Sequence, residues 1–231
     1  MPPADIKSTL LFTDALKLKR PSAFNVIVKP IGAVCNLNCT YCYYLEKSKL
    51  YPGKSDYRLS EDLLDQFTKE YIEAQQVPVV TFTWQGGEPT LLGIDYFRKV
   101  VELQKKYAGG KTIENAFQTN GTRLNDDWCR FLKENDFLVG VSIDGEEHNH
   151  DHHRKTKSGG PTFRQVMRGI ETLQKNRVEF NTLSVVNSYN VHFASETYRF
   201  LKSIGSVFMQ FLPVVERSAA NAGENELALV A

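Results

Sequence analysis

The chain has 231 residues, of which 42% are hydrophobic and 24% are charged, so it can bury the core of one sizeable domain. Its 28 lysines and arginines nearly balance its 27 aspartates and glutamates, and a formal net charge of +1 provides no long-range attraction for polyanions. We therefore expect neither a nucleic-acid partner nor a membrane partner.

The N-terminal residues and the cysteines indicate the cellular compartment. Leu10, Leu11 and Phe12 form an apolar run that Asp14 interrupts, and this run is too short for a signal-peptide core or a membrane span. Three of the four cysteines lie within eight residues, where disulfides would close cramped loops. We expect a cytoplasmic protein with a metal site.

Short β-branched or aromatic runs alternate with longer segments of helical period from Phe24 onward. This alternation predicts βα units and a parallel sheet. The predicted strands are residues 25–31, 79–84, 112–118, 137–143, 179–186 and 207–212.

The predicted helices between these strands have recognisable starts. Ser60 and Asn125 each precede two acidic residues, as N-cap residues do, and Thr162 with Gln165 predicts a capping box. Two further helices are predicted over residues 96–107 and 193–204.

The fold class that follows is α/β, an open (β/α)6 partial TIM-like barrel with parallel strands. Parallel crossovers are right-handed, so six sequential units curl in one direction and bring their functional groups to the C-terminal ends of the strands. Residues 1–23 are predicted to be an N-terminal extension and residues 24–215 the barrel. The polar, alanine-rich residues 216–231 are predicted to be a linker or a helix start.

Directly after the first predicted strand, the loop CNLNCTYC carries Cys35, Cys39 and Cys42. A cubane of four irons is normally held by four thiolates, so three thiolates leave one iron open for a small molecule. A structural zinc site would want four ligands, commonly in two pairs, and the remaining cysteine, Cys129, lies in a predicted helix where it is expected to be structural. Zinc, or no metal at all, remains the alternative.

The cysteine loop resembles the signature of radical S-adenosylmethionine (SAM) enzymes, in which an aromatic residue, here Tyr41, precedes the third cysteine. The resemblance implies a [4Fe–4S] cluster whose open iron binds SAM. It also implies a reducing electron donor, and cleavage of SAM to a 5′-deoxyadenosyl radical.

Further motifs follow the next predicted strands. Gly86 and Gly87 allow backbone to approach a ligand closely, and the resemblance implies that the GGEP motif with Glu88 binds the methionyl amino group. Ser142 and Asp144 are predicted to share one face of a strand, where they could hold ribose or methionyl groups.

Four further positions are candidates for the same pocket. Gln118 and Asn120 are predicted to line it, although a polar turn would explain them equally well. The resemblance implies that Arg154 contacts the SAM carboxylate and that the strand segment Gln210 to Val214 lies beside the adenine, with Val215 a further candidate from the same stretch.

A histidine-rich segment, Glu146 to Arg154, carries four of the five histidines. It is predicted to be a solvated loop rather than a second metal site, because histidine pairs at these spacings do not share a direction without a known backbone.

Several longer tracts, among them NVIVKPIGAVCNLNCTYCYY, TWQGGEPTL and FLKENDFLVGVSIDG, resemble the N-terminal half of anaerobic sulfatase-maturating enzymes. The resemblance implies a sulfatase polypeptide as substrate and oxidation of its cysteine or serine to formylglycine. The alternatives are another peptide-modifying radical SAM maturase and a non-catalytic metal-binding interaction module.

The C-terminal residues depart from the pattern of that family. There, a C-terminal extension supplies auxiliary clusters and an aspartate that acts as the catalytic base, whereas no cysteine follows Cys129 here. Residues 216–231 are therefore interpreted as the start of a truncated extension. No residue of this chain is predicted to be the catalytic base, which is expected beyond Ala231.

Overall fold

In the computed structural model, the described residues are 23–44, 57–217 and 227–229. Six parallel strands form one sheet in sequential order, which curls into an open half-barrel. They are β1 (Val26–Val28), β2 (Val79–Trp84), β3 (Thr112–Thr119), β4 (Phe137–Ser142), β5 (Phe180–Val186) and β6 (Met209–Pro213). Two short antiparallel strands, β7 (Val215–Arg217) and β8 (Leu227–Leu229), form a separate pair.

The helices alternate with these strands. They are α1 (Glu61–Ala74), α2 (Ile94–Tyr107), α3 (Asp126–Glu134), α4 (Glu147–His153), α5 (Phe163–Lys175) and α6 (Ala194–Ser203), with short 3-10 helices at Pro89–Leu92 and Asn190–Phe193. The predicted caps of α1 and α3 are confirmed, because Ser60 Oγ accepts from Leu63 N and Asn125 Oδ1 from Trp128 N. The six parallel strands in sequential order and the helices that alternate with them confirm the predicted partial barrel.

The hydrophobic core lies between the sheet and the helices. Alternate residues of β2, among them Phe82 and Trp84, are fully buried on this side. The opposite, concave side of the sheet remains open, and Ile27 on β1 and Phe208 beside β6 are more than half exposed there. The sheet thus presents one sealed face and one accessible face.

The first strand is shorter than predicted. The sequence favoured residues 25–31, but β1 ends at Val28. Pro30 has no N–H to donate, its carbonyl accepts from Leu59 N at 2.7 Å, and Gly32 N closes a turn on Lys29 O. The chain therefore leaves the sheet three residues early and enters the cysteine loop.

The capping box predicted for α5 is wrong. The hydroxyl of Thr162 donates to Arg154 O at 2.8 Å, and its side chain does not cap the helix. Asp151 of the preceding helix takes that role, because its Oδ1 accepts from Thr162 N at 2.7 Å and from Phe163 N at 2.9 Å. The cap is supplied through tertiary structure, which a local motif does not report.

The histidine-rich segment is a helix, α4, so the predicted solvated loop is also wrong. Asn149 and His150 are fully buried and His153 is nearly so, which places three polar side chains on the inner face of the helix. Each has a polar partner, which is Thr197 for Asn149, Thr162 for His150 and Thr40 for His153. Asn149 Oδ1 and His153 Nε2 have no hydrogen-bond partner among the described residues.

Two predicted terminal segments lie mostly outside the described residues. Residues 1–22 of the predicted N-terminal extension lie outside the described residues. Of residues 216–231, the described residues belong to β7 and β8 rather than to a linker or a helix start. Ala231 itself lies outside the described residues, so the expectation of a catalytic base beyond it stays a prediction.

One further observation concerns the helices as a group. Among those that the structure describes, none has the length and apolar character that crossing a membrane requires.

Candidate active site

A cavity of about 390 Å³ opens at the C-terminal edge of the sheet, where the barrel rim was predicted. Nine of the eleven predicted site residues line it: Cys35, Cys39, Tyr41, Cys42, Gly86, Gly87, Ser142, Arg154 and Val215. The candidates Gln118 and Asn120 line it as well. The structure therefore gathers residues that lie up to 180 positions apart in the sequence.

The cysteine loop is fixed to the chain that follows α4. Asn38 N donates to Lys155 O at 2.8 Å, and Thr40 N donates to His153 O at 3.1 Å. The Thr40 hydroxyl also shares a hydrogen bond with His153 Nδ1. Cys42 N closes a turn on Cys39 O at 2.9 Å, so the second and third cysteines belong to one tight backbone unit.

The spacing of the thiols favours a cluster over a single ion. A tetrahedral zinc with Zn–S bonds of about 2.3 Å holds its thiolates about 3.8 Å apart. Among the described residues, three potential metal-binding side chains lie with their donor atoms within 4.8 Å of one another: Glu146, His148 and Glu196. The three cysteines do not form such a group. The wider spacing fits a cubane, in which each thiolate binds a different iron.

Burial of two of the thiols, Cys35 and Cys39, also fits a cationic occupant. Burial raises the pKa of Cys35, and it raises the pKa of Cys39 to about 11 although the Arg154 guanidinium acts against it. A buried thiolate is costly unless positive charge compensates it, and coordinated iron provides that charge. The donor set and its surroundings therefore suit an iron–sulfur cluster.

Tyr41, Asp144 and Arg154 form a buried network behind the cysteine loop. Arg154 donates from Nε and Nη2 to the two oxygens of Asp144 at 2.9 and 3.0 Å, and Tyr41 donates its hydroxyl to the same carboxylate. Burial by itself would raise the pKa of Asp144, but Arg154 holds it below its ordinary value. The guanidinium uses two of its five N–H donors here, and Arg154 also lines the cavity.

The two glycines after β2 bring this turn against the cysteine loop. A Cβ at Gly87 would lie 2.0 Å from Val34 O, and Glu88 N donates to that same carbonyl at 2.9 Å. Gly87 also has a φ of +49°. The close backbone approach that the sequence predicted for this turn is therefore made to the backbone of Val34, the residue before Cys35.

The carboxylates of Glu88 and Asp144 lie behind the cavity wall. Both side chains are fully buried, and neither lines the cavity. Glu88 accepts from Thr90 N, Thr90 Oγ1, Thr119 Oγ1 and Asn120 N at 2.7 to 3.0 Å. Ser142 does line the cavity, so the predicted shared face with Asp144 is wrong, because β4 ends at Ser142 and strand alternation does not continue beyond it.

Ser142 pairs with Gln118 on the neighbouring strand, whose Nε2 donates to Ser142 Oγ at 3.0 Å. Gly140 makes room for this pair, since a Cβ there would lie 2.2 Å from Gln118 Oε1. Asn36 and Thr122 do not line the cavity, but both form hydrogen bonds with Asn120, which does. Sequence reasoning did not identify Asn36, Thr122 or His153, because a polar residue carries no local signal of its tertiary partner.

This barrel, its three-cysteine loop and the cavity beside it define a class of enzyme. A model of the radical SAM superfamily matches residues 30–201, which is most of the chain. The chain belongs to the radical SAM superfamily. The cofactors of this superfamily, a [4Fe–4S] cluster and SAM, are those that the cysteine loop predicted.

Within the superfamily, the chain is similar to anaerobic sulfatase-maturating enzymes. It is 50% identical over 206 residues to the serine-type enzyme of Bacteroides thetaiotaomicron, covering 89% of this chain and 50% of that relative. It is 36% identical over 206 residues to a cysteine-type enzyme of Clostridium perfringens, covering 89% and 55%. The chain spans about half the length of the relatives it matches.

Solved structures agree with this similarity. The structure of native anSMEcpe with bound AdoMet and the Cp18Cys peptide is 36% identical, with a TM-score of 0.75 over 82% of this chain and 50% of that chain. Streptococcus suis SuiB bound to S-adenosylmethionine shares 13% identity with a TM-score of 0.62, over 84% of this chain and 41% of that chain, which shows the shared fold.

Proposed function

We propose that this chain generates a 5′-deoxyadenosyl radical for the oxidation of a sulfatase cysteine or serine to formylglycine. The observation that carries the proposal is the convergence of three thiols and Arg154 on one cavity at the open rim of the barrel. The similarity to serine-type and cysteine-type anaerobic sulfatase-maturating enzymes supports the substrate class. A sulfatase polypeptide and a low-potential electron donor are the partners that this activity needs.

The proposed cofactor contacts follow from the cavity lining. Cys35, Cys39 and Cys42 would hold the [4Fe–4S] cluster, each on a different iron. When bound, the reduced cluster supplies the one electron that cleaves SAM to methionine and the 5′-deoxyadenosyl radical. Ser142 presents a hydroxyl to the same cavity, Gly86 and Gly87 line it with backbone, and Val215 gives it an apolar edge.

Arg154 is the proposed partner of the SAM carboxylate. Its charge is already paired with Asp144, so the guanidinium is held in one orientation and its remaining N–H groups can donate to a ligand. Tyr41 contributes to the same orientation, because its ring lies 5.6 Å from the guanidinium carbon and its hydroxyl binds Asp144. Glu88 and Asp144 would act indirectly, by fixing the backbone and Arg154.

The open concave face provides the proposed route for the polypeptide. A second cavity of about 400 Å³ on this face shares Gln85, Gln118, Leu183 and Leu212 with the site cavity. An extended segment entering there would reach the site from inside the barrel. The four free thiols are consistent with a reducing compartment, and we place the protein in the cytoplasm.

The test is anaerobic reconstitution with iron and sulfide, followed by chemical reduction in the presence of SAM. We expect 5′-deoxyadenosine from the unaltered chain and from Cys129→Ala, and none from Cys39→Ala. With a sulfatase peptide deuterated at the β-carbon of its cysteine or serine, deuterium should appear in the 5′-deoxyadenosine.

The outcomes separate the two parts of the proposal. Absence of 5′-deoxyadenosine from a sample that contains the cluster would overturn the radical chemistry. Formation of 5′-deoxyadenosine without deuterium transfer from either peptide would overturn the sulfatase substrate and favour a different peptide maturase.

A further inference from the structure

Cys35 differs from the other two cysteines of the loop in its hydrogen bonds. Asn120 Nδ2 donates to Cys35 Sγ at 3.7 Å, and Leu37 N donates to the same sulfur at 3.4 Å. For Cys39 and Cys42, the hydrogen bonds of the described residues include no donor to the sulfur. One thiolate of the proposed cluster is therefore placed in a different electrostatic environment.

The orientation of the Asn120 amide is fixed by its neighbours. Its Oδ1 accepts from Thr122 N at 3.0 Å and from Thr122 Oγ1 at 2.7 Å. A backbone N–H can only donate, so the oxygen must face Thr122 and the NH2 group must face Cys35. The same NH2 group donates to Asn36 Oδ1 at 2.9 Å, and Asn36 in turn donates to Thr122 Oγ1.

The backbone of Asn120 is fixed as well. Asn120 N donates to Glu88 Oε2 at 2.7 Å, and the Glu88 carboxylate is itself buried among three further donor groups. The side chain of Asn120 is buried, with 8% of the residue exposed. The donor therefore reaches the sulfur from a held position, and its distance to the sulfur is set by three elements: the β2 turn, the end of β3 and the cysteine loop.

We propose that Asn120 is a positioning residue that sets the reduction potential of the cluster through its N–H···S contact with Cys35. This inference rests on the proposed function, because it requires the cluster. When the cluster accepts one electron from an external low-potential reductant, negative charge increases on its sulfur atoms. A donor aimed at one of them stabilises the reduced state and makes the potential less negative.

The test compares two variants with a matched control. Asn120→Leu removes the donor at similar volume, and Asn120→Ser keeps an acceptor for Thr122 N but is too short to reach the sulfur. Thr122→Ser keeps the hydroxyl that binds Asn36 and Asn120, and so controls for disturbance of the turn. Each protein is reconstituted, assayed for iron and sulfide, and titrated with redox mediators while its reduced-state electron paramagnetic resonance signal is recorded.

We expect both Asn120 variants to retain the iron content of the unaltered chain. At a fixed ambient potential their ratio of reduced to oxidised cluster should fall about tenfold, which is a shift of about 59 mV for a one-electron couple. Thr122→Ser should titrate like the unaltered chain. SAM cleavage by the Asn120 variants should slow with a weak reductant and recover with an excess of a strong one, which a merely structural defect would not allow.

The failure of this inference is distinct from the failure of the proposed function. If the unaltered chain holds a reducible cluster and the Asn120 variants show the same potential, the tuning role is overturned and the proposed function stands. Loss of the cluster from both Asn120 variants would also overturn it, since Asn120 would then be needed to build the loop. If the unaltered chain itself assembles no cluster, the proposed function fails.

Discussion

The backbone at Gly87 sets how closely the turn after β2 approaches the cysteine loop. The position has a φ of +49° and no space for a side chain, because Val34 O occupies the place of a Cβ. Val34 immediately precedes Cys35 in the sequence, so a displacement here would move the first of the three proposed cluster ligands. Glycine at this position is thus required by the protein's own packing.

We expect Gly87→Ala to lower both stability and iron content. Gly109→Ala is the matched control, since Gly109 has a similar φ of +56° but its Cβ would meet nothing closer than 3.7 Å. The control should lose about 1 kcal/mol of unfolding free energy from the left-handed conformation alone and should bind iron normally. Gly87→Ala should lose more, because backbone must move.

Chemical denaturation and iron analysis after anaerobic reconstitution would check this expectation. Equal behaviour of the two variants would show that the cysteine loop tolerates the displacement.

At the scale of elements, α4 connects the cysteine loop to α5. Its C-terminal residues accept hydrogen bonds from the loop, and its Asp151 caps the N-terminus of α5. The cap supplies an acceptor to two N–H groups that the helix itself cannot satisfy. The contribution of α4 to the fold is therefore to hold the cysteine loop and the start of α5 together through these hydrogen bonds.

We expect Asp151→Ala to destabilise the protein by about 1 to 2 kcal/mol, because two helix N–H groups lose their acceptor. Gln165→Ala should change stability by less than about 0.5 kcal/mol, since the capping box to which it would belong is not formed. Asp151→Asn keeps an oxygen acceptor, so its loss of unfolding free energy should lie between those of the other two variants. Urea denaturation of the three variants would test the assignment, and a larger loss for Gln165→Ala than for Asp151→Ala would contradict it.

At the scale of the whole molecule, His150 links the segment after β4 to the start of α5 by hydrogen bonds to Asp144 and Thr162. Its Nδ1 accepts from Asp144 N, so its Nε2 carries the proton and faces Thr162 Oγ1 at 3.1 Å. Burial, together with the charge of Arg154, lowers the pKa of His150 to about 4, although Asp144 and Asp151 act in the opposite direction. The folded protein therefore holds this histidine neutral.

We expect the stability of the fold to fall as the pH is lowered from about 6.5 to about 4. In this interval the unfolded chain binds a proton at His150 that the folded chain excludes, so the unfolding free energy decreases by up to about 1.4 kcal/mol per pH unit. His150→Gln should be less stable at neutral pH but should show a flatter profile. Urea denaturation across this pH range would measure both slopes, and parallel profiles would contradict the role of His150.

The sequence by itself determined the architecture and predicted the position of the cluster. The alternation of apolar runs predicts six parallel strands because strand and helix periods differ, and consecutive βα units can curl in only one direction. The spacing of Cys35, Cys39 and Cys42 identifies the loop because close thiols of this kind have few other uses. Both signals are local, so they survive without knowledge of the fold.

Only the tertiary structure decided which polar groups face a ligand and which support them. Glu88 and Asp144 lie in motifs that the sequence predicted to face a ligand, yet both side chains are buried behind the cavity wall. Asn120, in contrast, donates to the sulfur of Cys35, which is 85 positions away in the sequence. The cap of α5 and the burial of His150 were likewise decided by neighbours brought together by folding. A buried polar group is stabilised by partners that are distant in sequence, and local patterns carry no record of them.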